Sequence, residues 1–302
     1  MFKKLQQHYI PRVYLKNFQI DDSENKSFVY CIDFSNKYNR NPQRKGINDK
    51  IFKEKKYYND PRLVDSFAIE DVLAEKFEPK YDKIINSISK EEELSKEIIE
   101  NLMIWLYISK MRSPYHRENT KRLLKHFIEI TNGYNKHTPD EKEKQVIEKY
   151  IKHKSKEVHL NAFSDKEQAE KLIKLHIETL NAKHWRIIKS YPDFPFWTND
   201  NPGFSPNTHP LFVKDFPFHQ VMELNSYSII FYVLTPKYCL EIIPFEQGTP
   251  LTVCAFNMKI QFEQATHAMV DFINRGVFYT RYKLLISNSK KLLDNCVKNK
   301  ND

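Results

Sequence analysis

From about residue 64 to residue 181 the apolar side chains recur at helical spacing, and from His184 onward they fall into short β-branched and aromatic runs broken by prolines. A pattern of period 3.6 cannot be satisfied by a strand, nor one of period 2 by a helix, so this change divides the chain into a helical middle and a β-rich remainder. Within the middle, Phe67, Val72, Leu73, Phe77, Tyr81, Ile84, Ile85 and Ile88 make one stripe. They predict a helix over about 64–89, kinked at Pro79. A second helix is expected over 91–111, ending at Ser113-Pro114, and a third over 115–131, running to a turn at Gly133. Thr138-Pro139, as N-cap and first helical residue, opens a Lys/Glu-rich solvated helix over 138–157. Ser164 with Glu167 makes a capping box for another over 164–181.

Strands are expected on both sides of this block. Residues 27–34 are β-branched and aromatic, and residues 51–58 form their expected partner in a hairpin with a long loop. Further on, 184–190, 194–198, 226–235 and 238–243 read as strands, 257–274 returns to helical period, and 276–280 reads as a last strand. The fold class is α+β, with an N-terminal β-hairpin and C-terminal β-strands around a helical middle. Residues 1–286 are expected to form a single composite domain, and 287–302 a Lys/Asn-rich tail.

Charge and composition narrow the function classes. The net charge is +9, and it gathers at the ends: residues 1–60 hold 13 Lys/Arg against 7 Asp/Glu, and residues 281–302 hold 6 against 2. Such a distribution can create a positive face for phosphate, which makes nucleic acid the expected partner. The N-terminal MFKKLQQHYIP has no apolar h-region and no stretch is long enough for a membrane span, so a cytoplasmic protein with no membrane partner is expected. Cys31, Cys239, Cys254 and Cys296 lie far apart, consistent with reduced thiols rather than a zinc cage or a disulfide framework. With five glycines there is neither a GxGxxG nor a GxxxxGK[ST] loop, and HExxH, GxSxG and HxE with PCxxC are absent too. Any chemistry must come from dispersed residues.

Two sets of residues qualify. One is His8, Arg12, Glu70, Glu78, Arg112, Asp200 and Asn201. On a helix Glu70 and Glu78 lie about 80° apart and share a face, and a carboxylate flanking a buried stripe needs a cation such as Arg12 or Arg112. In a functional reading His8 moves a proton, Glu70, Glu78 and Asp200 hold a metal (Mg²⁺ or Mn²⁺) or orient His8, and Arg12, Arg112 and Asn201 bind substrate. In a structural reading the same groups are an ion-pair network pinning the N-terminus to the long helices. The other set is Asp33 with Glu54 and Lys56: an acid on one strand and acid-x-Lys on the next would hold a divalent cation and orient water, or would be a charged edge strand. Arg112-Ser113-Pro114-Tyr115-His116 is similar to the Arg/His pairing of HEPN ribonucleases but has a shorter, proline-interrupted spacer. His176, His184, His209, His219 and His267 show no ligand spacing and are expected to be structural or solvated.

The opening HYIPRVYLKNF, with Tyr57-Tyr58, Ile69-Glu70, Arg112, Trp185, the Thr198-Asn199-Asp200-Asn201-Pro202 block and Leu234-Thr235-Pro236, resembles the family catalogued as domain of unknown function 4238, found chiefly in bacteria. The resemblance implies no established activity, but it favours a site at the TNDNP block over a plain turn. Together these observations point to a nucleic-acid-processing protein, a nuclease-like effector of the kind bacteria use against phage or plasmids. The alternative is a non-catalytic binding or regulatory module for a phosphorylated ligand or a protein partner.

Overall fold

The computed structural model describes residues 6–20, 27–38, 40–63, 65, 68–134, 136–207, 213–214, 217–220, 227–246 and 253–298. The chain begins with β1 (Gln6–His8), α1 (Arg12–Lys16), β2 (Phe28–Asp33), β3 (Gln43–Gly46) and β4 (Lys53–Lys55). The helical middle comprises α2 (Ala68–Val72), a π-helical turn over Leu73–Phe77, α3 (Glu78–Ser89), α4 (Lys96–Arg112), α5 (Pro114–Tyr134), α6 (Glu141–Ser164) and α7 (Lys166–Asn181). Then come β5 (Lys183–Lys189), β6 (Thr198–Asn199), β7 (Ser205–Pro206), β8 (Phe218–His219), β9 (Ile230–Val233), β10 (Tyr238–Pro244) and β11 (Gln261–Gln264). The chain closes with α8 (His267–Thr280), β12 (Leu284–Ser287) and α9 (Lys290–Lys298). The fold is α+β, as the change of period requires.

Caps decide where the helices begin. Asp140 accepts from the backbone N–H of Lys142 and Glu143, and the Glu143 carboxylate returns to the Asp140 N–H, so α6 starts after Asp140 and not at Thr138-Pro139. In the same way Asp165, accepting from Gln168 N–H, caps α7 in place of Ser164. Ser164 is instead the last residue of α6, and its hydroxyl donates to Leu160 O and the Asp60 carboxylate. Pro79 does not kink a continuous rod. It sits in the first turn of α3, where its missing N–H costs nothing, and the π turn before it absorbs the change of direction.

Three expectations about strands change, one being that residues 257–274, expected helical, hold β11 (Gln261–Gln264) before α8 begins at His267. The partner of β2 is β3, with Phe28 opposite Gly46, while β4 pairs with β1, placing Gln7 opposite Glu54 and His8 opposite Lys53. The N-terminal hairpin therefore exists, but its second strand lies nearer in sequence than expected. Residues 276–280 are helical: they end α8, because Gly276 lets Phe204 lie against the helix. A Cβ there would fall 2.2 Å from the Phe204 ring.

Two four-stranded sheets result, ordered β11-β5-β10-β9 and β3-β2-β12-β6. All their pairings are antiparallel except β11 with β5. One apolar cluster runs through both, with members from Ile10 and Leu15 to Leu285 and Leu293. Leu293 brings α9 into it, so the expected tail is anchored over part of its length. Tyr14 fastens α1 to the sheets: its hydroxyl donates to Val233 O at 2.8 Å and receives the Thr198 hydroxyl proton at 2.5 Å. Tyr81, stacked on Trp105 with ring centroids 4.2 Å apart, donates to Leu234 O in the same way. Among the described residues no helix is long and apolar enough to cross a membrane.

Candidate functional site

Arg112 ends α4 and is fully buried. Its three nitrogens are each committed: Nη1 to Glu78 Oε1 at 3.0 Å, Nε to the Tyr58 hydroxyl at 3.1 Å and Nη2 to the backbone oxygen of His8 at 2.9 Å. Burial pulls the guanidinium toward neutrality, but Tyr58, Glu78 and Glu70 outweigh it and hold the cation firmly protonated. Glu78 thus pairs with Arg112 directly and Glu70 acts on it through its charge, while the π-helical turn over Leu73–Phe77 lies between them, so the uninterrupted helix on which a shared face was expected is not formed. What they and Arg112 hold is a strand: β1 is clasped to α3 and α4 through the His8 carbonyl. The His8 ring is itself buried, and its pKa falls to about 3 because burial strips its solvation and Lys53, Arg112 and Arg12 repel added charge. It is neutral throughout the physiological range. Arg12 is exposed on α1, outside this clasp.

Asp200 is also buried. Its carboxylate accepts from Tyr282 N–H at 2.9 Å and from Lys283 N–H at 2.9 and 3.1 Å, fixing the start of β12. Burial pushes its pKa up to about 6, against the pull of backbone N–H groups of Lys283, Leu284 and Tyr282. Asn201 turns the other way. Its Oδ1 accepts from the Ser113 hydroxyl at 3.4 Å, and its Nδ2 donates to Thr280 O at 2.7 Å and to Gln220 Oε1. It therefore joins the α4–α5 corner to β8 and the end of α8.

The second sequence-predicted set is not assembled. Asp33 on β2 binds its own turn, accepting from Ser35 N–H at 2.9 Å and the Ser35 hydroxyl at 2.6 Å. Glu54 on β4 pairs with Arg117 at 2.7 Å, and Lys56 lies past the strand end, exposed, at φ 55°. β2 and β4 belong to different sheets, so the adjacent-strand geometry is missing. Among the described residues no three His, Cys, Asp or Glu side chains gather in a way that could hold a metal ion, Glu70, Glu78 and Asp200 included.

What the corner does create is a cleft of about 860 Å³, walled by the end of α4, the start of α5, α6, α7, Asn201-Pro202 and β8 with Gln220. Lys110, Tyr115, His116, His176 and His219 line it, together with the amides of Asn119, Gln168, Asn201 and Gln220. No Asp or Glu is among its described lining residues. Two of the histidines have assigned tautomers, since a carbonyl can only accept. His176 Nε2–H donates to Met103 O at 3.1 Å, tying α7 to α4, and is buried. His219 Nδ1–H donates to Gln220 O at 2.7 Å, leaving Nε2 as its lone-pair nitrogen. His116 occupies the first turn of α5, where its N–H meets the Ser113 hydroxyl at 3.2 Å. Among the described residues the hollow is largely apolar, with Met111, Val158, Ala162, Leu172 and Pro202 beside one lysine, three imidazoles and four amides and no carboxylate, a lining that suits an anion that also presents flat rings.

Sequence reading placed Arg112, Glu70 and Glu78 together and placed Asn201 at a special turn, but it set His219 and His116 aside. For His116 the available signals were its place after a helix-breaking Ser-Pro and its spacing from Arg112, and the shortness of that spacer argued against it. Nothing local marks His219, which comes from a loop about a hundred residues distant. His159 was likewise hidden: two residues past the expected 138–157 helix, it lies within α6 and is buried among Tyr57, Tyr58 and Phe163, which drives its pKa well down.

Against known families, the model for the family described as protein of unknown function DUF4238 matches residues 6–291. Comparisons with curated proteins and with solved structures gave no match.

Proposed function

The chain belongs to the DUF4238 family, whose description assigns no activity, and from its geometry we propose that this member is a nucleic-acid-processing protein that handles phosphodiesters in the α4–α7 cleft. The observation that carries this reading is the lining: one lysine, three histidines, four amides and two tyrosines, Tyr107 and Tyr115, with no acidic side chain among the described residues. Lysine and amide donors match phosphate oxygens, the half-buried Tyr115 ring matches a base, and the half-buried imidazoles of His116 and His219 supply acid/base groups. The clasp around Arg112 and the clamp at Asp200 serve this site indirectly, by holding the corner from which Ser113, His116 and Asn201 project.

The test is direct incubation of the purified chain with single- and double-stranded RNA and DNA, with and without Mg²⁺ or Mn²⁺. Cleavage that drops in a His116→Ala or His219→Ala variant supports the reading; failure to cleave any of these substrates sinks it. A binding module for a phosphorylated ligand is the second reading, favoured by the fact that Arg112, Glu78 and Asp200 are spent on structure. It predicts saturable binding of the same oligonucleotides, weakened by Lys110→Ala, with no product formed.

A further inference from the structure

Two half-buried imidazoles line the cleft, His116 from α5 and His219 from β8. They are not independently hung. His116 N–H rests on the Ser113 hydroxyl, that hydroxyl donates to Asn201 Oδ1, and Asn201 Nδ2 donates to Gln220 Oε1, next to His219. Gln220 Nε2 and Asn201 Nδ2 both also donate to Thr280 O, at 2.8 and 2.7 Å, so the end of α8 backs the whole chain of contacts. Hydrogen bonds through Ser113, Asn201 and Gln220 thus link the two segments that carry the rings.

Two imidazoles lining one cleft can supply a base and an acid, but they supply no nucleophile. Described lining residues offer no carboxylate to hold a hard divalent cation that would ready a water. A substrate that carries its own nucleophile beside the phosphorus removes that need, and in nucleic acids only the ribose 2′-hydroxyl does so.

Resting on the reading of this cleft as a phosphodiester site, we propose that the protein cleaves RNA by transesterification, with His219 as general base and His116 as general acid. His219 Nε2 takes the proton of the 2′-hydroxyl, its Nδ1–H being held on Gln220 O. The O2′–P bond forms as the P–O5′ bond breaks, and protonated His116 gives its proton to O5′. The products are a 2′,3′-cyclic phosphate and a 5′-hydroxyl. No water and no electrons are consumed, and proton exchange with solvent returns each ring to its starting form. Lys110 stabilises the charge on the pentacoordinate phosphorus.

The experiment uses the full chain with a mixed-sequence RNA oligonucleotide and its all-2′-deoxy counterpart, both in EDTA, with product ends identified by mass spectrometry. Expected are RNA fragments ending in 2′,3′-cyclic phosphate, an intact deoxy strand, and a loss of about 100-fold or more in kcat for His219→Gln and for His116→Gln. At position 219 the glutamine amide can still donate to Gln220 O, and at position 116 the contact to Ser113 is made by the backbone N–H, so both variants are expected to retain the wild-type melting temperature. Cleavage that requires Mg²⁺ or Mn²⁺, that cuts the deoxy strand, or that is unchanged in His219→Gln overturns this inference while leaving the phosphodiester reading in place. Absence of cleavage of either strand with and without metal overturns both.

Discussion

Arg112 donates through Nη2 to the backbone oxygen of His8, 104 residues earlier, and not to its ring. The residue at position 8 is therefore held by its main chain, and its imidazole is a buried neutral passenger of the clasp. The consequence reaches the cleft, because the next residue after Arg112 is Ser113, on which both Asn201 and His116 rest.

Removing the clasp should cost stability first. Arg112→Ala leaves Glu78 without its cation and the His8 carbonyl without its donor, for which about 3–5 kcal/mol is typical of a fully buried pair. The Glu78 side chain is 21% exposed, so the lower end, about 3 kcal/mol, is expected. Urea denaturation measures it, and a loss under about 1 kcal/mol would contradict the clasp.

His8 should give the protein an acid-sensitive term. Its pKa falls from 6.5 unfolded to about 3 folded, so below pH 6.5 the unfolded chain binds the proton that the folded one refuses. Stability is lost as pH falls through that window, by at most about 1.4 kcal/mol per pH unit. Chemical denaturation of wild type and His8→Gln between pH 7 and pH 4 should show a shallower acid loss in the variant.

Asp200 works with the opposite sign. Its pKa rises from 3.8 to about 6 on folding, so the folded state holds the proton more tightly and this group's contribution falls as pH climbs from about 4 to 6. In that window it partly offsets His8. Asp200→Asn removes the offset, and its stability should therefore decline more steeply on acidification than wild type; an unchanged slope would show that the carboxylate does not titrate there.

Gly276→Ala tests the packing of α8. Alanine would gain about 1 kcal/mol in helix propensity, but its Cβ would meet the Phe204 ring at 2.2 Å. That ring is buried and stacked on Phe231 with centroids 5.1 Å apart, so it cannot swing aside cheaply. Overpacking of this kind costs about 1–3 kcal/mol, and a net loss is expected. Adding Phe204→Leu should cost less in the Gly276→Ala background than in wild type, a coupling that a double-mutant cycle reads directly.

Asp33→Ala, Glu54→Ala and Lys56→Ala separate the rival site from the cleft. Asp33 caps its own turn and Glu54 pairs with half-buried Arg117, so each change should lower stability by roughly 1 kcal/mol or less. Any nuclease activity should persist at its wild-type level in all three. Its disappearance in one of them would return the chemistry to the N-terminal strands.

The helical block was legible because its evidence is local: the stripe from Tyr81 to Ile88 and the capping chemistry of Asp140 and Glu143 act within a few residues. Where reading failed, a distant partner had the deciding vote. Residues 276–280 are aromatic and β-branched, as a strand would be, yet Phe204 makes them helix by filling the groove that Gly276 leaves. Strand pairing likewise follows from which edges meet: Glu54 alternates with Lys56 in sequence, but β4 ends at Lys55 and pairs with β1.

The sequence by itself determined the α+β class, the positions of most helices, the family, and the need of the helical carboxylates for a cationic partner. These depend on periodicity, capping and the cost of an uncompensated charge, all of which can be reckoned along the chain. Only the tertiary structure decided that His8 is shut away and that His116 and His219 line one cleft. A side chain's exposure and its neighbours are set by how the sheets and helices close on one another, and the 217–220 segment comes to line the same cleft as α5 only after that closure is complete.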